Sequence, residues 1–173
     1  MATSLYDVSV TSYLQTLGAV AGFLNKGLSH CVETGIDPNE LVEARLHTDM
    51  LPLRFQICSV AHHSLGAIEA VKSGVFLPPG QSPPHDYVAL QDLVAETHDA
   101  LRALTPEDVN AQEGADVTFQ LPSRKVPFTA EGFLMSFSLP NFFFHATTAY
   151  DILRQKGVPL GKRDFLGQLR IKT

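Results

Sequence analysis

The side chains in this chain that could do acid/base, metal or thiol chemistry include seven histidines, eighteen carboxylates and two cysteines. The spacing of one subset gathers it in space. Each helical residue turns the side chain by about 100°, so positions 7, 11 and 18 apart nearly eclipse one another. Read as one helix, residues 38–72 bring Arg45, Asp49, Gln56 and His63 within about 40° of each other, with Leu53 and Val60 on the same stripe. On a helix over residues 130–156, Ser138, Asn141, His145 and Thr148 share a face that also carries Ile152. Phe137, Phe142, Phe143 and Phe144 crowd around it, so this helix is expected to be deeply buried. An unpaired buried donor or acceptor costs about 1–3 kcal/mol. The two polar stripes are therefore expected to face each other.

Acid/base work is the chemistry such a seam supports. His145 is the expected acid/base, Asp49 its orienting carboxylate, and Arg45 an anchor for an anionic substrate group. Gln56, His63, Asn141 and Thr148 complete the expected substrate contacts. The competing reading makes Arg45–Asp49 an i,i+4 ion pair, His145 a satisfied core histidine, and the seam a device that fixes register. Metal chemistry has little support from spacing. Neither HxxxH nor HExxH occurs, and the adjacent His62 and His63 point about 100° apart on a helix. No GxSxG, CxxC or glycine-rich phosphate loop occurs either, and the Gly157–Lys162 stretch follows no strand.

The elements that would position these residues follow from periodicity and punctuation. Tyr6, Val10, Tyr13, Leu17, Val20 and Leu24 form an apolar stripe on a first helix over 4–33, which the segment 34–39 ends. A second helix runs over 38–72, kinked or divided at Pro52, and Ser73-Gly74 stops it. Four prolines hold 77–84 as an extended loop, and a third helix covers 87–104. The period then changes to two: residues 116–128 read as a short hairpin, with Pro127 confining it to an edge. The fourth helix covers 130–156 and stops at Gly157 and Pro159, and 157–173 reads as irregular. The expected fold is all-α: one domain over 1–173, a four-helix bundle with a small β-hairpin between helices 3 and 4.

Bulk properties narrow the partners. A 45% apolar, 18% charged chain is globular in composition, and a net charge of −5 with scattered Lys and Arg excludes a nucleic-acid partner from expectation. No apolar run reaches the roughly 20 residues of a membrane span. The start, MATSLYDVSV, lacks the basic and apolar regions of a secretory signal, and cytoplasmic location is expected. The expected partners are a small-molecule ligand or substrate and a second copy of the chain in a homodimer.

Three segments carry a family resemblance. They are Arg45-Leu46 with Asp49-Met50-x-Pro52-Leu53-x-x-Gln56; Pro140-Asn141-Phe142-x-Phe144-His145-x-Thr147-Thr148-Ala149-Tyr150; and Ile152-Leu153-Arg154-x-x-Gly157-Val158-x-Leu160-Gly161-Lys162-x-Asp164-Phe165-Leu166-Gly167. Together they resemble the DUF1993 family, grouped with the DinB/YfiT-like superfamily of four-helix bundles. That superfamily includes metal-dependent thiol transferases and a maleylpyruvate isomerase. The resemblance implies a pocket between the second and fourth helices and an activity of transferase or isomerase type. It also implies a metal site with one second-helix histidine and an HxxxH pair on the fourth helix. His145 matches one of that pair, while Asn141 and Ala149 stand at its partner positions. No cofactor is therefore expected. A DinB-like metalloenzyme with His145 as ligand and a non-catalytic dimeric bundle are the alternatives.

Overall fold

A computed structural model of the protein describes residues 3–80 and 85–172; positions 81–84 of the proline-rich loop expected over 77–84 lie outside the described residues. The first helix is divided. A capping box at Ser4 and Asp7 starts α1 (Leu5–Val8), and α2 (Val10–Thr34) follows after a break at Ser9. Ser9 Oγ donates to the Leu5 carbonyl at 2.6 Å, a local bond that competes with the helix ladder. The second helix is divided further. A short α3 (Asn39–Val42) gives way to an irregular segment, and α4 (Leu53–His62) starts only after Pro52. Proline has no N–H to give, so the chain takes a fresh helix start there instead of a kink. A second serine break, with Ser64 Oγ on the Val60 carbonyl at 2.7 Å, separates α4 from α5 (Leu65–Ser73).

The third helix, α6 (Tyr87–Arg102), is capped by the Asp86 side chain, and α7 (Pro106–Asn110) follows it. The expected hairpin is present as β2 (Asp116–Gln120) and β3 (Lys125–Thr129), with Thr118 opposite Pro127. A strand not anticipated, β1 (Val75–Phe76), pairs parallel to β2 and makes the order β1-β2-β3. Pro127 does lie on an edge strand. The last long helix comprises α8 (Ala130–Phe133), a π-helical turn (Leu134–Ser138) and α9 (Leu139–Gln155). The π turn lies just before Pro140, whose missing N–H already interrupts the ladder there. A short α10 (Lys162–Leu166) occupies the tail that reads as irregular in sequence.

The fold is the expected helical bundle with a small sheet. Helix α4 packs mainly on α9, and α2 on α6 and α10. The buried core threads Tyr13, Leu17, Phe23, Leu53, Ile57, Leu90, Phe133 and Phe142. Among the described residues no helix is long and apolar enough to cross a membrane.

One close approach sets the α2–α6 spacing. A Cβ added at Gly27 would lie 2.2 Å from the Tyr87 hydroxyl, which is buried and donates to the Leu24 carbonyl at 2.8 Å. Gly→Ala inside a helix ordinarily gains up to about 1 kcal/mol. Here the sign should reverse. Gly27→Ala is expected to cost about 1–3 kcal/mol by overpacking, lowering the melting midpoint by roughly 2–4 °C for each kcal/mol. A thermal scan showing equal or higher stability would remove this account.

Candidate functional site

The α4–α9 seam holds a cluster of three histidines. His145, half-buried on α9, has Nδ1 2.8 Å from Gln56 Oε1 on α4. Gln56 is 2% exposed, and its Nε2 donates to the Leu51 carbonyl at 2.8 Å. That carbonyl can only accept, so the amide orientation is fixed: Nε2 faces Leu51, Oε1 faces His145, and the imidazole proton sits on Nδ1. In the neutral ring Nε2 is then a bare acceptor. Burial pulls the His145 pKa down to about 4, helped by proximity to His62, so the ring is neutral at pH 7.

His63 caps the C-terminus of α4, where its ring lies nearly parallel to that of His145: centroids 5.8 Å apart, planes at 16°. It is 7% exposed, and its Nδ1 has no hydrogen-bond partner among the described residues. Burial drives its pKa to about 3, with His62 and His145 adding to the shift. His62 completes the group: its ring centre is 5.4 Å from that of His63, and its Nε2–H donates to the Leu77 carbonyl at 3.1 Å. Burial lowers its pKa as well, partly offset by that hydrogen bond.

Phenylalanines wall the cluster. Phe55 and Phe144 stand edge-on to His145, and Phe76 and Phe137 lie against His63. The small sheet therefore has a local purpose. Phe76, Phe119 and Phe128 from its three strands pack with Phe133 and Phe137 and close the seam on the histidine side. Beneath the rings Ser138 Oγ donates to the His63 carbonyl at 2.6 Å and accepts from Tyr13 Oη at 2.8 Å, tying α2, the C-terminal cap of α4 and the π turn together.

Gln56, His63 and His145 of the residues singled out in the sequence thus converge. Arg45 and Asp49 do not join them. Both stand on the exposed segment between α3 and α4, because the chain is not helical there. Asp49 Oδ1 pairs with His47 Nδ1 at 2.5 Å, and Arg45 Nη1 donates to the Met50 carbonyl at 2.8 Å. The i,i+4 ion pair between them is also absent. Asn141 spends Nδ2 on the Phe137 carbonyl, and buried Thr148 spends its hydroxyl on the Phe144 carbonyl, each one turn back on its own helix. His62, set aside on helical geometry, belongs to the cluster: although one step of about 100° separates it from His63 on the last turn of α4, the two ring centres are 5.4 Å apart. Asp49→Ala is accordingly expected to change stability by no more than about 0.5 kcal/mol, as chemical denaturation would show.

The DinB-like metal arrangement does not fit these residues. Metal–imidazole bonds lie in the ring plane, and the nearly parallel rings of His63 and His145 aim their lone pairs side by side, not at a common point. Among the described residues no group of three or more His, Cys, Asp or Glu is placed to hold a metal ion.

The C-terminal motif has a structural task. Gly161 N donates to Asp164 Oδ2, Lys26 pairs with Asp164 Oδ1 at 2.7 Å, and Phe165 packs edge-on against Tyr150. Gln15 Nε2 then binds the Leu166 carbonyl, and Gly167, at φ +59°, lies so close to α2 that a Cβ would be 3.1 Å from the Gln15 carbonyl. The motif clamps α10 to α2.

No curated protein matches this chain in sequence. Among solved structures, it is similar to the crystal structure of a DinB family member protein from Shewanella denitrificans. The TM-score is 0.79 at 24% identity, over 98% of this chain and 95% of that one, a likeness of fold. The family described as "Domain of unknown function (DUF1993)" matches residues 5–166, so the chain belongs to the DUF1993 family.

Proposed function

We propose that the α4–α9 seam binds a small, uncharged, flat molecule. Nε2 of His145 would accept its hydrogen bond or proton, and Nδ1 of His63 would be the second polar contact. The observation that carries this reading is the orphaned Nδ1 of a 7% exposed histidine beside a ring whose own acceptor is held ready by Gln56. Buried polar atoms are rarely left unpaired, and such an exception points to an absent partner. An uncharged ligand fits because burial holds both rings neutral and phenylalanines make up the walls. Entry would require the outer rings, Phe55 and Phe144, to swing aside.

The reading is binding first. A general base works best with a pKa near the working pH, and His145 is backed by an amide where a base would have a carboxylate. Isomerase-type proton transfer is its catalytic form, for a bound ligand whose developing negative charge would raise the His145 pKa. No metal takes part in this reading. The protein acts as a homodimer.

The test is NMR of the imidazole nitrogens and carbons. His145 is expected as the Nδ1–H tautomer, and phenol, a flat probe with one O–H donor, is expected to move the His63 and His145 ring signals saturably. Gln56→Leu should scramble the tautomer and weaken the response. A second reading, a purely structural seam, is favoured by the close ring packing. Ring signals that stay fixed through titrations with phenol and other neutral aromatic fragments would establish it.

A further inference from the structure

We infer that the cleft between α2, α6 and the C-terminal tail binds a small organic acid, its carboxylate on Arg170 and its apolar body on Leu14, Leu169 and Ile171. The cleft is separate from the α4–α9 seam and rests on different observations. Its volume is about 980 Å³, within the range of small-molecule sites. Helical spacing builds the floor: Thr11, Leu14 and Gly18 line it and share one face of α2. Gly18 leaves that floor bare. A Cβ there would meet no heavy atom within 4 Å, although glycine inside a helix costs stability that alanine would not.

The tail makes one wall. Gly167 seats against Gln15 and Ala19, and the chain then runs back along α2 towards Asp7. The Asp7 carboxylate is held below its usual range first by its Ser4 hydrogen bonds and, less, by the Arg170 charge. His98 of α6 completes the lining. Gln15 is committed to the Leu166 carbonyl, but the other polar groups are unspent. Among the described residues neither the Gln168 amide nor the Arg170 guanidinium has a hydrogen-bond partner, and no ion pair holds Arg170.

Charge selects the ligand. The chain has eighteen carboxylate side chains and a net charge of −5, yet none of them lines the cleft, whose ionisable groups are Arg170 and His98. His98 leans on Asp99, Nδ1 to Oδ1 3.6 Å, so Arg170 is the anchor. A guanidinium fork matches a carboxylate through two parallel hydrogen bonds. A phosphate monoester carries close to two charges and would meet the Asp7 carboxylate beside a single guanidinium. An ammonium ligand finds no side-chain carboxylate in the lining. The apolar body has its own seat. Leu169 and Ile171 are 55% and 75% exposed, and half-buried Leu14 lies on the floor. Covering these side chains with the apolar part of a ligand removes that surface from water.

Hexanoate is the probe, followed by the amide NMR signals of the full chain. It is expected to move the Gly18, His98 and Leu169 signals saturably and to leave the His63 and His145 rings still, unlike phenol. Hexylammonium should move none of them. Hexan-1-ol, with the same body and no charge, should bind roughly tenfold more weakly, and Arg170→Gln should cost hexanoate a similar factor. Gly18→Leu fills the floor and should abolish binding. Gly22→Leu, one turn on at an exposed position with equal space, should leave it unchanged. Leucine is the better helix former, so both variants should melt no lower than the wild type. Hexanoate that moves no cleft signal, hexan-1-ol or hexylammonium that binds as tightly, or a folded Gly18→Leu with wild-type affinity overturns the inference. Should Gly18→Leu fail to fold, Arg170→Gln on the exposed tail still decides: unchanged affinity there overturns it.

Discussion

Lowering the pH from 7 to 4.5 should destabilise this protein by about 2–3 kcal/mol through His63 alone. Its folded pKa of about 3 lies far below the ordinary histidine value of 6.5, because burial penalises the imidazolium. With the folded value depressed, the unfolded chain takes up the proton first. Stability is full above pH 6.5 and falls as the pH drops towards the folded value. His145, depressed to about 4, pushes in the same direction, but its half-buried ring is partly screened by water and contributes less. The carboxylates with lowered pKa, such as Asp164 and Asp108, start from the ordinary aspartate value near 3.8, so most of their loss falls below this window. Denaturant unfolding at pH 7 and 4.5 gives the difference directly. His63→Phe keeps a ring against Phe76 and Phe137 and removes both the titration and the orphaned nitrogen. It should match or exceed the wild type at pH 7, lose much of the acid sensitivity, and no longer respond to phenol. Wild-type stability that is flat across the window, or acid sensitivity unchanged in His63→Phe, would refute the assignment.

The part of the site that was legible in the sequence is the part on unbroken helix. Gln56 and His63 are seven residues apart, nearly two turns, and His145 sits on the long helix opposite, so period alone brought them face to face. Arg45 and Asp49 share that face only if the helix runs unbroken through Pro52, and it does not. Helical spacing has no meaning across a proline that begins a new helix. His62 is not legible for a different reason: it lies one step of about 100° from His63, so period sets it on another face, and only the reach of the two imidazole side chains brings their ring centres within 5.4 Å. The division of α4 from α5 has its signal in Ser64, one of the residues whose hydroxyl competes with the helix ladder, as Ser9 does in the first helix. Strand β1 is two residues long, too short for a period-two pattern to appear. The bundle itself was readable because apolar stripes at 3.6 spacing run through α2, α6 and α9.

Tyr13 and Ser138 carried no sequence mark as a pair, 125 residues apart, yet they anchor the seam, and the order of their hydrogen bonds predicts an asymmetry. Ser138 Oγ gives its proton to the His63 carbonyl, so the Tyr13 hydroxyl must donate to Ser138. Both residues are fully buried, and burial raises the Tyr13 pKa, which keeps its proton in place. Tyr13→Phe removes the end of the chain. Ser138 keeps its acceptor, nothing is left as an orphaned donor, and the cost should be about 1 kcal/mol. Ser138→Ala removes the middle. The Tyr13 proton then has no acceptor and the His63 carbonyl loses a donor, two buried groups at about 1–3 kcal/mol each. Its melting midpoint should fall several times further than that of Tyr13→Phe. The double variant should be more stable than Ser138→Ala alone, because the second substitution deletes the stranded hydroxyl. Equal costs for the two single variants, or a double variant less stable than Ser138→Ala, would mean that the hydroxyl chain does not run in this order.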